Sequence, residues 1–272
     1  MPELPEVETV VRTLRPKLVG GRIASVQLSR DDIVEPRGFE FGWNTVGRRI
    51  GSVDRRGKKI VFTLDDGNRF YVHLGMSGRL TLAPHGAPLL PHTHLIFDMG
   101  KRAIGELRFI DPRRFGGVWW LGRDLPTDER MGPEPLTLRP AQLARQLSRT
   151  SRAIKTALLE QALIAGIGNI YADEALFAAR IHPERPANTL NPAEISRLNR
   201  SIKAVLNRAI NHRGSTLRDY RDGNGDSGAF QKLHRVYARA GQPCSVCDTP
   251  LARIVLGGRS THFCPSCQSA RL

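Results

Sequence analysis

Negative charge is what this sequence has least of. Against 41 lysines and arginines, its 272 residues include 26 aspartates and glutamates, leaving a net charge of +15. An imbalance of that size points to a polyanionic partner. A membrane surface would also attract a basic protein, but no long basic amphipathic helix with an aromatic apolar face is present. Nucleic acid is therefore the expected partner. No apolar run approaches the length of a membrane span, and no hydrophobic leader precedes the first charged residues, so a cytoplasmic protein is expected. Cysteine is also sparse. All four cysteines lie between positions 244 and 267, which in a reducing compartment argues for a metal site over a disulfide framework. No repeat stands out, and the composition is ordinary for a globular protein, so neither a solenoid nor a wholly disordered chain is expected.

The length suits two domains with a real core. Charge is divided unevenly: residues 1–136 carry 21 basic and 17 acidic side chains (+4), residues 137–272 carry 20 and 9 (+11). The second half is the main electrostatic footprint. Val7, Val10, Val11, Leu14 and Leu18 recur at helical spacing, with Pro5 in the first turn, and predict a helix over 3–19. After Gly20-Gly21, short apolar runs are cut by glycine and charged turns near 22–29, 46–54, 60–64, 69–74, 79–82, 93–98, 104–110 and 117–121. Eight short strands so closely spaced predict a β-sandwich or barrel. Met131-Gly132-Pro133-Glu134-Pro135 has the composition of a linker. Helices are predicted beyond it near 141–149, 152–164, 170–180 and 192–212, the last with Asn191 as N-cap and Pro192 at its first position. A polar, glycine-rich loop occupies 221–229. The expected domains are 1–130, a linker over 131–140, a helical domain over 141–238 and a metal module over 239–272.

Cys244-x2-Cys247 and Cys264-x2-Cys267 are two thiolate knuckles that can wrap one tetrahedral Zn²⁺. Four protein ligands leave no open position, so the metal is expected to be structural and zinc-dependent hydrolysis is disfavoured. Between the knuckles, Gly257-Gly258-Arg259-Ser260-Thr261 reads as a hairpin tip that presents an arginine. Gly166-Ile167-Gly168-Asn169 lacks the third glycine and the preceding strand of a dinucleotide loop. A tight turn facing phosphate at a helix start fits better, with Asn169 either the N-cap or a phosphate ligand. Gly75-Met76-Ser77-Gly78 fails the spacing of a hydrolase nucleophile elbow. Met76 there, and Phe115 beside Arg113-Arg114, are either core residues or wedges for a base stack. Arg55-Arg56-Gly57-Lys58-Lys59 is a basic turn, either a solvated face or a source of an amine near phosphate or sugar.

Met1-Pro2-Glu3-Leu4-Pro5-Glu6 opens the chain. Cleavage after Met1 would expose the secondary amine of Pro2, and such an amine can attack an electrophilic carbon to form an imine. Glu3, next to it, can move protons. The alternative is structural: the prolines start a helix and the acids complement its dipole.

Taken together, Pro2 to Glu8, Lys58, His73–Gly78, Asp111–Gly116, Gly166–Tyr171 and the cysteine module resemble, from end to end, the bacterial formamidopyrimidine-DNA glycosylase family. The resemblance implies an α+β fold of two domains: an N-terminal β-sandwich headed by a catalytic helix, then a helix–two-turn–helix domain with a zinc ribbon. It implies a base-excision-repair enzyme that acts as a monomer on double-stranded DNA of the nucleoid containing oxidised purines or abasic sites. Pro2 would form a Schiff base with the damaged nucleotide and Glu3 would serve as acid/base, with β- and δ-elimination following. Lys58 matches the catalytic lysine. Arg259 matches the arginine of the second elimination, and Asn169 a phosphate ligand. His92 and Lys155 match further DNA contacts. Met76, Arg113 and Phe115 match the residues filling the gap left by a flipped base, Arg113 touching DNA as well, and Glu6 matches a carboxylate beside the active centre.

Two places depart from that pattern. Thr150 stands where a basic residue is usual, with Arg149 and Arg152 nearby, and Asp226, Ser227 and Ala229 replace the usual basic, proline and aromatic residues of the 221–230 loop. The nearest rival is an endonuclease VIII-like enzyme for oxidised pyrimidines; the rival of another class is a non-catalytic zinc-ribbon DNA-binding protein.

Overall fold

Helix α1 spans Leu4–Leu18, and Val7, Val10, Val11, Leu14 and Leu18 are fully buried along one side. That stripe is what a three-to-four-residue apolar repeat produces when a helix is laid on a core. The core belongs to two sheets. One has the order β1 (Ser25–Leu28), β7 (Thr93–Asp98), β8 (Glu106–Ile110), β6 (Arg79–Ala83), antiparallel throughout. The other has the order β2 (Val34–Glu35), β9 (Gly117–Gly122), β5 (Arg69–His73), β4 (Lys59–Leu64), β3 (Ile50–Arg56), with β2 parallel to β9. Phe62 and Phe70 of one sheet stack at 4.7 Å, and Phe70 stacks on Phe97 of the other at 5.9 Å. One apolar cluster thus joins α1 and both sheets, as in a β-sandwich. Gly57 and Lys58 form the two-residue turn between β3 and β4, and the φ of +56° at Gly57 is one that glycine reaches without strain.

The computed structural model describes residues 1–100, 105–126 and 130–269. It divides the chain into two units, Met1–Glu129 with His212–Ala229, and Arg130–Asn211 with Phe230–Leu272. The second unit holds α3 (Pro140–Leu147), α4 (Ile154–Leu159), α5 (Asn169–Ala179), α6 (Pro192–Asn211) and the hairpin β10 (Ala252–Leu256) with β11 (Arg259–Phe263). Asn191 does cap α6. Its Oδ1 accepts the Glu194 N–H at 2.9 Å, and the Glu194 carboxylate accepts the Asn191 N–H at 2.9 Å, a reciprocal box.

Several expectations need correction. The helix expected over 152–164 ends at Leu159, because Gln161 turns back to accept the Gly166 N–H and to donate to the Ile167 carbonyl. The run 22–29 is a strand only over Ser25–Leu28, and 46–54 becomes a strand from Ile50 onward. Residue 104, the expected start of the next-to-last strand, lies outside the described residues. Strand β2 and helix α2 (Phe41–Thr45) were not expected; both are too short for a periodic signal. The stretch read as a linker is packed into the second unit: Gly132 N–H donates to the Gln161 carbonyl at 2.8 Å, and a Cβ at Gly132 would meet the Leu163 carbonyl at 2.4 Å. Residues 212–229, placed by expectation in the helical domain, cluster with the N-terminal unit instead.

Candidate active site and nucleic-acid interface

In the first unit, Pro2, Glu3 and Glu6 are all buried at the start of α1. A buried carboxylate must be hydrogen-bonded or it costs stability. Glu6 meets the condition with two backbone donors, Glu3 N–H at 2.8 Å and Ser215 N–H at 2.6 Å. Gly214 makes the second bond possible. Its φ is +74° and a Cβ there would lie 2.6 Å from the Glu6 carboxylate. The Tyr220 hydroxyl donates to the Glu6 carbonyl at 3.2 Å, and burial followed by the Glu6 charge raises its pKa, keeping it a donor.

Lys58 sits half-buried in the β3–β4 turn, and that turn is fastened to α1. Arg55 donates through Nε to Glu8 at 2.9 Å and through Nη1 to the Gly57 carbonyl at 3.1 Å, while Arg12 donates to the other Glu8 oxygen at 2.8 Å. Burial works to raise the Glu8 carboxyl, but bonds from Arg12 and Arg55 hold it below its ordinary value. Helix α1 is therefore the common anchor of the Pro2 end and the Lys58 turn. Burial, and then the charges of Lys58 and Lys59, lower the pKa of His73, so a neutral imidazole faces those lysines.

The two apolar-tipped loops are stapled by Asp111, which is wholly buried. Its Oδ1 accepts the Ser77 hydroxyl at 2.6 Å, and its Oδ2 accepts the Gly116 N–H at 2.7 Å. A Cβ at Gly75 would meet Gly116 N at 2.5 Å, so the loop backbones touch. Outside this staple, Met76 is 39% and Phe115 56% exposed, and Arg113 lies over the Phe115 ring at 5.0 Å. Of the two alternatives, core or wedge, exposure favours the wedge. His92 is exposed at a strained position, φ +67°, beside the buried His94.

In the second unit, the N-cap of α5 is Gly168, not Asn169. Asn169 is the first helical residue, and its Nδ2 donates to the Ser260 carbonyl at 2.9 Å, keeping one amide hydrogen for a ligand. Arg259 is exposed at the hairpin tip. Lys155 contradicts its expected DNA contact: its side chain is 0% exposed and ion-paired with Asp173, so its ammonium does not reach a phosphate. Arg149 and Arg152, flanking Thr150, are exposed.

The four cysteine sulfurs all lie within 4.8 Å of one another, with Sγ–Sγ separations of 3.4, 3.5 and 3.9 Å among them. A tetrahedron of Zn–S bonds of about 2.3 Å requires about 3.8 Å between sulfurs, so the site fits one structural zinc. Gln268 fastens this module, accepting the Cys264 N–H and donating to the Ile181 carbonyl, both at 2.9 Å.

Ser215, Tyr220, Arg55, Gln161 and Asp173 were not anticipated. Their partners lie far along the chain or on a different element, and no local periodicity marks them.

Three family models cover most of the chain: the formamidopyrimidine-DNA glycosylase N-terminal domain over residues 1–118, its H2TH domain over 131–221, and a zinc finger found in FPG and IleRS over 241–270. A formamidopyrimidine-DNA glycosylase of Symbiobacterium thermophilum is 47% identical, covering 98% of this chain and 89% of that protein. One from Pelotomaculum thermopropionicum is 43% identical over 100% of both. Among solved structures, the MutM (Fpg) protein of Thermus thermophilus superposes with a TM-score of 0.87 at 42% identity, covering 98% of each chain. The Lactococcus lactis Fpg in complex with abasic-site DNA gives 0.90 at 38% identity, covering 98% of this chain and 99% of that one. No helix among the described residues is long and apolar enough to cross a membrane. With such identity along its whole length, the chain belongs to the formamidopyrimidine-DNA glycosylase family.

Proposed function

We propose that the protein is a bifunctional enzyme, a glycosylase for oxidised purines in double-stranded DNA and a lyase at the resulting abasic site. The observation that carries the reading is the pair of buried carboxylates, Glu3 and Glu6, at the Pro2 end of α1, in a protein of net charge +15. A buried acid pair beside an amine is costly for stability and useful for chemistry.

Once Met1 is removed, the Pro2 nitrogen donates its electron pair to C1′ of the damaged nucleotide. The bond from C1′ to the base breaks, and its electrons leave with the base, which takes up a proton. The sugar ring opens to a protonated imine, with Glu3 moving the proton at the ring oxygen. Loss of a proton from C2′ expels the 3′ phosphate; a second proton loss expels the 5′ phosphate. Lys58 serves the site during elimination and Arg259 the second cleavage. Asn169, at the positive end of α5, and exposed His92 and Arg113 hold the strand. Met76, Arg113 and Phe115 fill the gap when the base swings out, offsetting part of the unstacking cost. The zinc holds the ribbon folded and takes no part in bond breaking. The protein works as a monomer on chromosomal DNA in the cytoplasm.

Borohydride reduction on lesion DNA tests this reading. The trapped complex is expected to carry its cross-link on a peptide beginning at Pro2, and Pro2→Gly is expected to abolish trapping while DNA affinity persists. A cross-link through Lys58 would overturn the assignment.

A second reading has its own support. The Lactococcus lactis Fpg has been crystallised with DNA containing an oxidised pyrimidine as well as with Fapy-dG. Oxidised pyrimidines are therefore a further substrate class, which excision assays on both lesion types resolve.

A further inference from the structure

Asp173 is a fully buried carboxylate in the second turn of α5, and three donors from two elements converge on it. One oxygen is ion-paired with the buried ammonium of Lys155, which also donates to the Asn169 carbonyl at 3.3 Å. The other oxygen accepts the His262 backbone N–H at 3.0 Å and faces the His262 ring Nδ1 at 3.1 Å. A carboxylate bonded in this way has no proton to give, so Nδ1 carries the hydrogen. His262 is in β11, three residues from Arg259, and the bond from Asn169 to the Ser260 carbonyl holds the same strand. The first turns of α5 thus grip β11 at Ser260 and at His262, immediately behind the exposed arginine.

We propose that Asp173 is a positioning residue for the second elimination: it fixes the zinc-ribbon hairpin on α5 so that Arg259 and Asn169 hold one relative placement. The proposal rests on the reading of Arg259 given above. Arg259 projects from a two-glycine tip, Gly257-Gly258, both at positive φ, which imposes little placement of its own. Its register comes from the strand behind it, and Asp173 is where that strand, the helix carrying Asn169 and the buried Lys155 meet. A displacement of about 1 Å in a catalytic group is enough to cost up to ~100-fold in rate. The buried pair thereby acts on chemistry through geometry and touches no substrate.

The test uses the full-length zinc-loaded protein on DNA with a preformed abasic site, under single-turnover conditions. Two quantities are read: borohydride trapping, and the ratio of β,δ- to β-elimination ends. Asp173→Asn is expected to leave trapping and zinc content unchanged and to lower the ratio roughly tenfold or more. Arg259→Ala is the reference, and adding Asp173→Asn to it should lower the ratio little further, since both changes act through one group. Because Asp173→Asn strands a buried ammonium, two companions keep the question open to refutation. Lys155→Met with Asp173→Asn removes both charges, and His262→Ala removes one link while sparing the pair; each should shift the ratio in the same direction. Wild-type ratios in the folded companions overturn the proposal. If Arg259→Ala itself leaves the ratio unchanged, the reading of Arg259 fails instead.

Discussion

The Ser77 hydroxyl donates a 2.6 Å hydrogen bond to Asp111 across 34 residues of chain, and this single contact joins the loop bearing Met76 to the loop bearing Phe115. Both partners are buried while both tips are exposed. Stability and activity should therefore separate. Asp111→Ala strands the Ser77 hydroxyl and the Gly116 N–H, and a loss of about 2–3 kcal/mol is expected in denaturant unfolding. Met76→Ala and Phe115→Ala should each cost under about 1 kcal/mol. Their loss should appear as slower excision from duplex DNA, and less so when the lesion is already unpaired. Early melting of Phe115→Ala with normal excision by the folded fraction would make Phe115 a core residue.

Zinc removal is expected to act on folding and binding. Cys244 and Cys264 are buried with Phe177, Val236 and Leu251, so loss of the metal opens that cluster and frees the strand carrying Arg259. Hydrogen exchange should rise across 240–269, and DNA affinity should fall. Trapping by the residual bound protein should persist. Unchanged exchange after verified zinc loss would contradict a structural metal.

Acid should weaken the protein through His234. Burial lowers its pKa from 6.5 to about 4, with a backbone bond at Tyr237 opposing. The unfolded chain thus takes up a proton that the folded chain refuses, so this contribution is complete above pH 6.5 and drains away as pH falls toward 4. The total is about 3 kcal/mol at most. Thiol protonation weakens zinc over the same range, so the informative quantity is the difference in unfolding free energy between wild type and His234→Gln. That difference should shrink with falling pH; a constant gap would remove His234 from the account.

Salt dependence should separate the two cations once expected to touch phosphate. Arg259→Ala should reduce the slope of log affinity against log salt by about one unit. Lys155→Met should leave the slope alone and instead destabilise, by ~3–5 kcal/mol, because it strands the Asp173 charge.

Much of this molecule was legible in its residues, and what escaped has a common cause. The stripe on α1, the strand runs and the Asn191 cap are local patterns, and local patterns survive in a one-dimensional string. The cysteine knuckles and the exposed Met76 and Phe115 tips were legible for the same reason: spacing and neighbours carry the signal. The Lys155 burial was not, because a lysine on a short helix looks solvated until an aspartate 18 positions away claims it. Asn169 was half legible; its helix start was expected, but its tie to Ser260 spans 91 residues. The 212–229 segment defeated expectation outright, since its anchors, Glu6 and Thr13, lie at the opposite end of the chain.

That last segment bears on modularity. The polypeptide leaves the first unit after residue 129, returns for 212–229 and leaves again. A fragment ending at residue 129 would thus carry Glu6 without the Ser215 amide and Thr13 without the Gly223 amide that each accepts from in the whole chain. Recombination that exchanged the N-terminal stretch as a cassette would transmit a catalytic helix missing part of its own support. Inheritance of the two units is for that reason joint, and grafts between relatives should be made with both chain segments together.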